Sequence, residues 1–134
     1  MSTLTISNLS DGTKTVATTN VTNGSAKAWS NFNQTSTQAF RDSLNFSSIT
    51  DNGTGASTIT YTSAFANANY CTTYGVRDGA GENDTRMLIG SDTSGYYTTT
   101  TQRVYCSYHN TSSAGSGGLN DATYGFTSSF GDLA

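Results

Sequence analysis

From Ser57 to Phe65 the chain reads STITYTSAF, single apolar residues alternating with small hydroxyl-bearing ones. A period of two suits a strand, whose successive side chains point to opposite faces; it does not gather on one face of a helix. The same grammar recurs along most of the chain. No stretch of eleven or more residues keeps a helical period, and STQAFRDSL, residues 36–44, which alone invites a helix, has flanks that argue against one. The expectation is an all-β chain, an antiparallel β-sandwich of jelly-roll-like type, with sheets wet on one face and packed on the other.

Composition decides whether such a chain folds. Its 134 residues suit one domain with a modest core. The hydrophobic share is 34% without glycine, against about 45–50% with glycine in ordinary domains. Neutral polar residues fill the gap, with 25 Thr and 19 Ser. Disordered chains combine low hydrophobicity with high net charge and few aromatics. Here the net charge is −3, with 8 Tyr, 6 Phe and one Trp. Order is therefore expected. The six basic residues are scattered and form no stripe that would bind nucleic acid, and no 18-residue apolar run suggests membrane insertion. The first residues lack the cationic and apolar segments of a signal peptide, so folding in a cytoplasm is expected.

Residues 1–25 read as an extended attachment segment and 26–134 as the sandwich. Leu4 and Ile6 share one face of a short strand, Asp11-Gly12 and Asn23-Gly24 are turn pairs, and Val16, Thr18, Thr19 and Val21 are β-formers between them. This segment is too polar to hold itself in place and is expected to pair with another strand or subunit. In 26–33, Trp29 shares a face with Lys27, Asn31 and Asn33, opposite Ala28 and Phe32. Trp29 is expected at a subunit interface or under the N-terminal segment, with Phe32, Leu4 and Ile6 as further interface residues. SLNFSSI puts Leu44 and Phe46 on one face of a strand, and DNGTG at 51–55 signals a hairpin. RMLIG reads as a short buried strand, and NTSSAGSGGLND as a loop.

Few residues invite chemistry. His109 stands alone and precedes a glycine-rich loop, which suits a solvated histidine better than a base. Asp78, Glu82 and Asp84 in RDGAGENDTR are a weak candidate calcium loop; a solvated acidic loop neutralised by Arg77 and Arg86 is the plainer reading. No nucleophile elbow or phosphate loop occurs, and no cofactor and no enzymatic activity are expected. Cys71 and Cys106 lie in strand-like runs and read as two buried free thiols, with a bridge between neighbouring strands as the alternative. Tyr74, Tyr96, Tyr97 and Tyr105, with His109, are candidate receptor contacts, because tyrosine offers rigid area with a polar tip.

Residues 23–70 carry Ala26-Lys27-Ala28-Trp29, Asn31-Phe32-Asn33, Arg41-Asp42-Ser43, Asn45-Phe46, the run Ser47 to Gly55, and Ala68-Asn69-Tyr70. This segment resembles one found in tail-fibre and related virion structural proteins of tailed bacteriophages. Gln34-Thr35-Ser36 and Ala56-Ser57 depart from that pattern. The resemblance implies a non-enzymatic virion protein, made in the host cytoplasm, assembling as a homotrimer with other phage proteins. A tail-fibre or tail-tip component touching a host-surface glycan or protein is the first reading. A capsid decoration or head-fibre protein is the second. Residues 71–120 carry no such resemblance.

Overall fold

The computed structural model describes residues 4–77, 84–91, 95–110 and 117–134. Among the described residues, eleven strands and one short helix run in the order β1 (Asn8–Ser10), β2 (Thr15–Ala17), α1 (Thr18–Gly24), β3 (Ala28–Asn33), β4 (Ala39–Leu44), β5 (Phe46–Asp51), β6 (Ala56–Tyr61), β7 (Cys71–Arg77), β8 (Asp84–Gly90), β9 (Thr101–Asn110), β10 (Gly117–Leu119) and β11 (Tyr124–Phe130). Every pairing between them is antiparallel. One sheet has the order β4-β3-β11-β7. In the other, β9 pairs with β8 along one edge; β6 and β10 follow one another along its opposite edge, and β5 lies outside β6. Phe32 of the first sheet and Ile59, Leu88, Val104 and Cys106 of the second belong to one buried cluster, so the two sheets share a core.

The hairpin expected at 51–55 is present. Gly53 and Gly55 take φ of 105° and 66°, values that a side chain would strain. Asp51 Oδ1 accepts the Gly53 amide at 2.8 Å and closes the turn. Asn45 is a correction. Its φ of 60° ends β4 and starts β5 in the opposite sheet, so Leu44 and Phe46 do not share a strand face. Asparagine tolerates this conformation better than other side-chain-bearing residues. Its amide also clamps residue 63, donating to the Ser63 carbonyl and accepting the Ser63 amide at 2.7 Å.

The N-terminal segment departs further. Leu4 and Ile6 lie outside any strand and are exposed, and β1 pairs only with β2 among the described strands. Thr18, Thr19 and Val21, expected as strand residues, are in α1. The start of α1 is tied to the segment before it: the Thr18 hydroxyl donates to the Ile6 and Ser7 carbonyls, each at 3.0 Å, and the Thr18 amide to the Ser7 carbonyl at 2.9 Å. RMLIG is half-buried rather than buried, because Leu88 faces the core while Met87 and Ile89 face outward. Gly117–Leu119, expected in a loop, is β10.

Phe32 is also a correction. It is fully buried in the chain's own core, since it alternates with Trp29 and points inward with Ala28 and Ser30. Its ring dictates the strand beside it. Gly125 is its cross-strand partner on β11, and a Cβ there would lie 2.5 Å from the ring. The inward positions of β11 are therefore small: Gly125, Thr127 and Ser129, all buried. Buried hydroxyls and amides then pair. Ser30 bonds Thr127 at 2.9 Å, and Tyr61 meets Ser129 at 3.1 Å. Gln34 donates to Ser57 at 2.8 Å and accepts the Ala122 amide at 3.0 Å.

In urea unfolding, Phe32→Ala is expected to cost about 3–5 kcal/mol and Gly125→Ala about 1–3 kcal/mol. The double variant is expected to cost less than the sum, since removing the ring makes room for the methyl. Additive costs would mean that the two positions do not constrain each other.

Candidate functional site

The two sheets adjoin where β7 of one meets β8 of the other. Thr72 and Tyr74 lie on the same face of β7 as Val76, opposite the inward Ser129 and Thr127 of β11. With Ala68, Gly90, Ser91 and Tyr97 they line a cleft of about 390 Å³. Gly90 shapes it: a Cβ at this position would fall 2.1 Å from the Tyr74 hydroxyl and 2.7 Å from the ring carbon bearing it. Any larger residue would displace the phenol.

An aromatic column supports the cleft from below. Phe40 stacks on Phe46, Phe46 on Tyr61, and Phe65 on Tyr70, while Tyr61 meets Tyr70 edge-on. Tyr70 in turn stacks on Tyr97 with centroids 4.5 Å apart. A chain of hydroxyls runs alongside: Tyr61 to Ser129, Ser129 to Thr72 at 2.9 Å, and Thr72 to Tyr97 at 3.2 Å. Tyr97 also donates to the Tyr70 carbonyl at 2.7 Å, and Tyr70 donates to the Thr98 carbonyl. Of the two cleft tyrosines, Tyr97 is thus held by packing and by polar partners. Behind the wall, Tyr74 makes a long 3.4 Å bond to Gln102 Oε1. The Gln102 amide nitrogen is buried with no partner, in a residue that is 0% exposed.

Burial pushes the Tyr61, Tyr70, Tyr74 and Tyr97 hydroxyls above the ordinary tyrosine value of 10.0. They are neutral donors and acceptors at physiological pH. None of the described residues lining the cleft is charged. Such an arrangement can bind through stacking and hydrogen bonds.

A second surface is the outer face of the β4-β3-β11-β7 sheet. Trp29 and Phe126 are each 36% exposed and Leu44 is 49% exposed. Leu44 lies directly across from Trp29 on β4, and Phe126 lies across from Asn31 on β11, diagonal to Trp29. Asn31 Oδ1 is buried there without a partner. Further along, the guanidinium groups of Arg41 and Arg77 lie 4.4 and 4.3 Å from the Tyr124 ring centre.

The five candidate receptor contacts do not form one site. Tyr74 and Tyr97 share the cleft. Tyr96 is exposed, with the Arg103 guanidinium 3.9 Å over its ring, and does not line the cleft. Tyr105 is half-buried on β9 across from Ala56 and Ile89. His109 is exposed toward the far end of β9, seven residues beyond Gln102, which pairs with Tyr97, or roughly 23 Å at about 3.3 Å per residue. Asp78 and Glu82 lie outside the described residues, and Asp84 opens β8. Among the described residues no three His, Cys, Asp or Glu side chains gather as a metal site, and no helix is long and apolar enough to cross a membrane. Cys71 and Cys106 are unbridged and sit in different sheets. Cys106 is buried, but Cys71, expected to be buried, is exposed. Sequence reading missed Thr72, Gly90 and Tyr70; the glycine closing RMLIG was the one visible signal among them. Comparisons with family models, curated proteins and solved structures yield no match to this chain.

The raised tyrosine hydroxyls make stability depend on alkaline pH. The folded chain holds these protons more tightly than the unfolded chain, whose tyrosines ionise near pH 10. Their contribution is complete below that value and is lost as pH rises above it. The thermal midpoint is expected to be flat from about pH 7 to 9 and to fall above about pH 10. Melting curves followed by circular dichroism check this; a midpoint that rises above pH 10 would contradict it.

Proposed function

We propose that this chain is a non-enzymatic structural protein of a tailed-bacteriophage virion, a tail-fibre or tail-tip component that assembles as a trimer and contacts the host surface. The observation that carries the reading is the outer face of the β4-β3-β11-β7 sheet. A chain with little apolar residue to spare leaves Trp29, Leu44 and Phe126 together on one exposed face. Clustered surface aromatics are characteristic of interaction sites. The resemblance of residues 23–70 to virion segments adds to this, because Trp29 and Leu44 fall inside it. On this reading the outer face packs against other copies, and the cleft between β7 and β8 is left for recognition.

The purified chain is expected to elute in light-scattering chromatography at three protomer masses. Trp29→Asp and Phe126→Asp are expected to shift it to one, with the β-sheet circular dichroism retained. A wild-type monomer at micromolar concentration would remove the assembly reading. Quantitative mass spectrometry of particles carrying the chain is expected to count a few trimers each. Many tens to hundreds of copies would point instead to a capsid decoration protein.

A further inference from the structure

We propose that the cleft between β7 and β8 is a binding site for a neutral saccharide. This deepens the host-contact reading above and rests on it for its biological setting, but the site is argued from its own chemistry. A sugar ring presents an apolar C–H face and a rim of hydroxyls that both donate and accept. The cleft offers matching surfaces. Tyr74 and Tyr97 supply aromatic area, and the Thr72 and Tyr74 hydroxyls, whose protons go to Tyr97 and Gln102, can accept hydrogen bonds from a sugar. None of the described lining residues is charged, so none of them would neutralise a phosphate, a carboxylate or an acidic peptide. The volume of about 390 Å³ is at the small end of the roughly 300–1,000 Å³ typical of small-molecule sites.

Two further observations point to a ligand. Tyr97 is fixed before binding, with one ring face stacked on Tyr70 and its hydroxyl bonded to the Tyr70 carbonyl and Thr72. A site prepared in this way loses little freedom on binding. Gln102, fully buried, reaches the cleft wall through Tyr74 and keeps an amide nitrogen without a partner. Turning the amide over would leave its oxygen unpartnered instead, so the pairing is incomplete either way. Unpaired buried amide groups are rare in folded chains. A ligand hydroxyl donating to Tyr74 would extend into the cleft the line of bonds that starts at Gln102 Oε1.

The test uses saturation-transfer NMR on the full chain. The panel is the methyl glycosides of glucose, galactose, mannose, N-acetylglucosamine and N-acetylgalactosamine, with methyl glucuronate as the charged control. At least one neutral glycoside is expected to bind, with Kd in about the millimolar range. Tyr97→Ala and Gly90→Ala are expected to weaken it about tenfold or more, and Met87→Ala, which faces outward on β8, to leave it unchanged. Thr72→Val keeps the test decisive if the other variants misfold. It leaves Ser129 bonded to Tyr61 and Tyr97 bonded to the Tyr70 carbonyl, and it is expected to weaken binding several-fold. The site is overturned if no neutral glycoside binds, if methyl glucuronate is preferred, or if Thr72→Val and Gly90→Ala bind as the parent does. Absence of sugar binding by the parent chain, itself a trimer, would remove the site and leave the structural reading. Intact sugar binding in a particle whose adsorption to host cells is unchanged by Thr72→Val would leave the site and remove its role in host contact.

Discussion

The structure depends on pairing polar groups inside a core that has too little apolar material to fill itself. Ser30, Gln34, Ser57, Gln102, Thr127 and Ser129 are all buried. A hydroxyl or amide taken from water without a partner costs on the order of 1–3 kcal/mol, so six such residues would consume most of a domain's net stability if left alone. Apart from the Gln102 amide nitrogen, they are paired. Ser30 meets Thr127 across β3 and β11, Gln34 joins Ser57 to the Ala122 amide, and Ser129 bridges Tyr61 and Thr72. These bonds connect strands that are distant in the chain. They fix which residue lies across from which more narrowly than apolar contact can, because hydrogen bonds have direction and apolar contact does not.

The cleft follows from the same device. The line of hydroxyls that begins inside with Tyr61 and Ser129 continues through Thr72 to Tyr97, where β7 and β8 adjoin. The core therefore has no sharp boundary there: paired hydroxyls and stacked rings run from the interior to the surface. Gly90 leaves room for Tyr74, and Tyr70 props up Tyr97. The opposite arrangement holds on the outer face of the β4-β3-β11-β7 sheet. Phe32 fills the inner side against Gly125, so β11 carries its aromatic Phe126 outward, beside Trp29. One packing choice at Phe32 thus helps to set the character of both faces.

Much of the strand content was legible locally. The Asn-Gly hairpin at 51–55 and the inward alternation of Ile59 and Tyr61 follow from turn chemistry and period alone. The inward Val104 and Cys106 follow from period as well. The helix at Thr18–Gly24 was not legible, because β-branched residues argue against it and the bonds that tie Thr18 to Ile6 and Ser7 form only once the chain folds back there. The left-handed Asn45 was missed because the alternation of Leu44 and Phe46 runs straight through it, although asparagine takes this conformation more readily than most residues. Of the site, Tyr74 and Tyr97 could be named from sequence as tyrosines suited to contact. That they share a cleft while Tyr96, Tyr105 and His109 do not depends on which strands lie beside one another.

By itself, the sequence determined that this chain is built of antiparallel strands, where its Asn-Gly hairpin lies, and that Trp29 and Phe32 point to opposite sides of one strand. Period and turn chemistry act over a few residues, so they can be read in order along the chain. The tertiary structure alone decided which side of that strand is the core, which hydroxyls pair, and that Thr72, Gly90 and Tyr97 line one cleft. Those outcomes arise between residues tens of positions apart, from ring size against a facing glycine and from hydrogen bonds whose partners become neighbours only when the two sheets close.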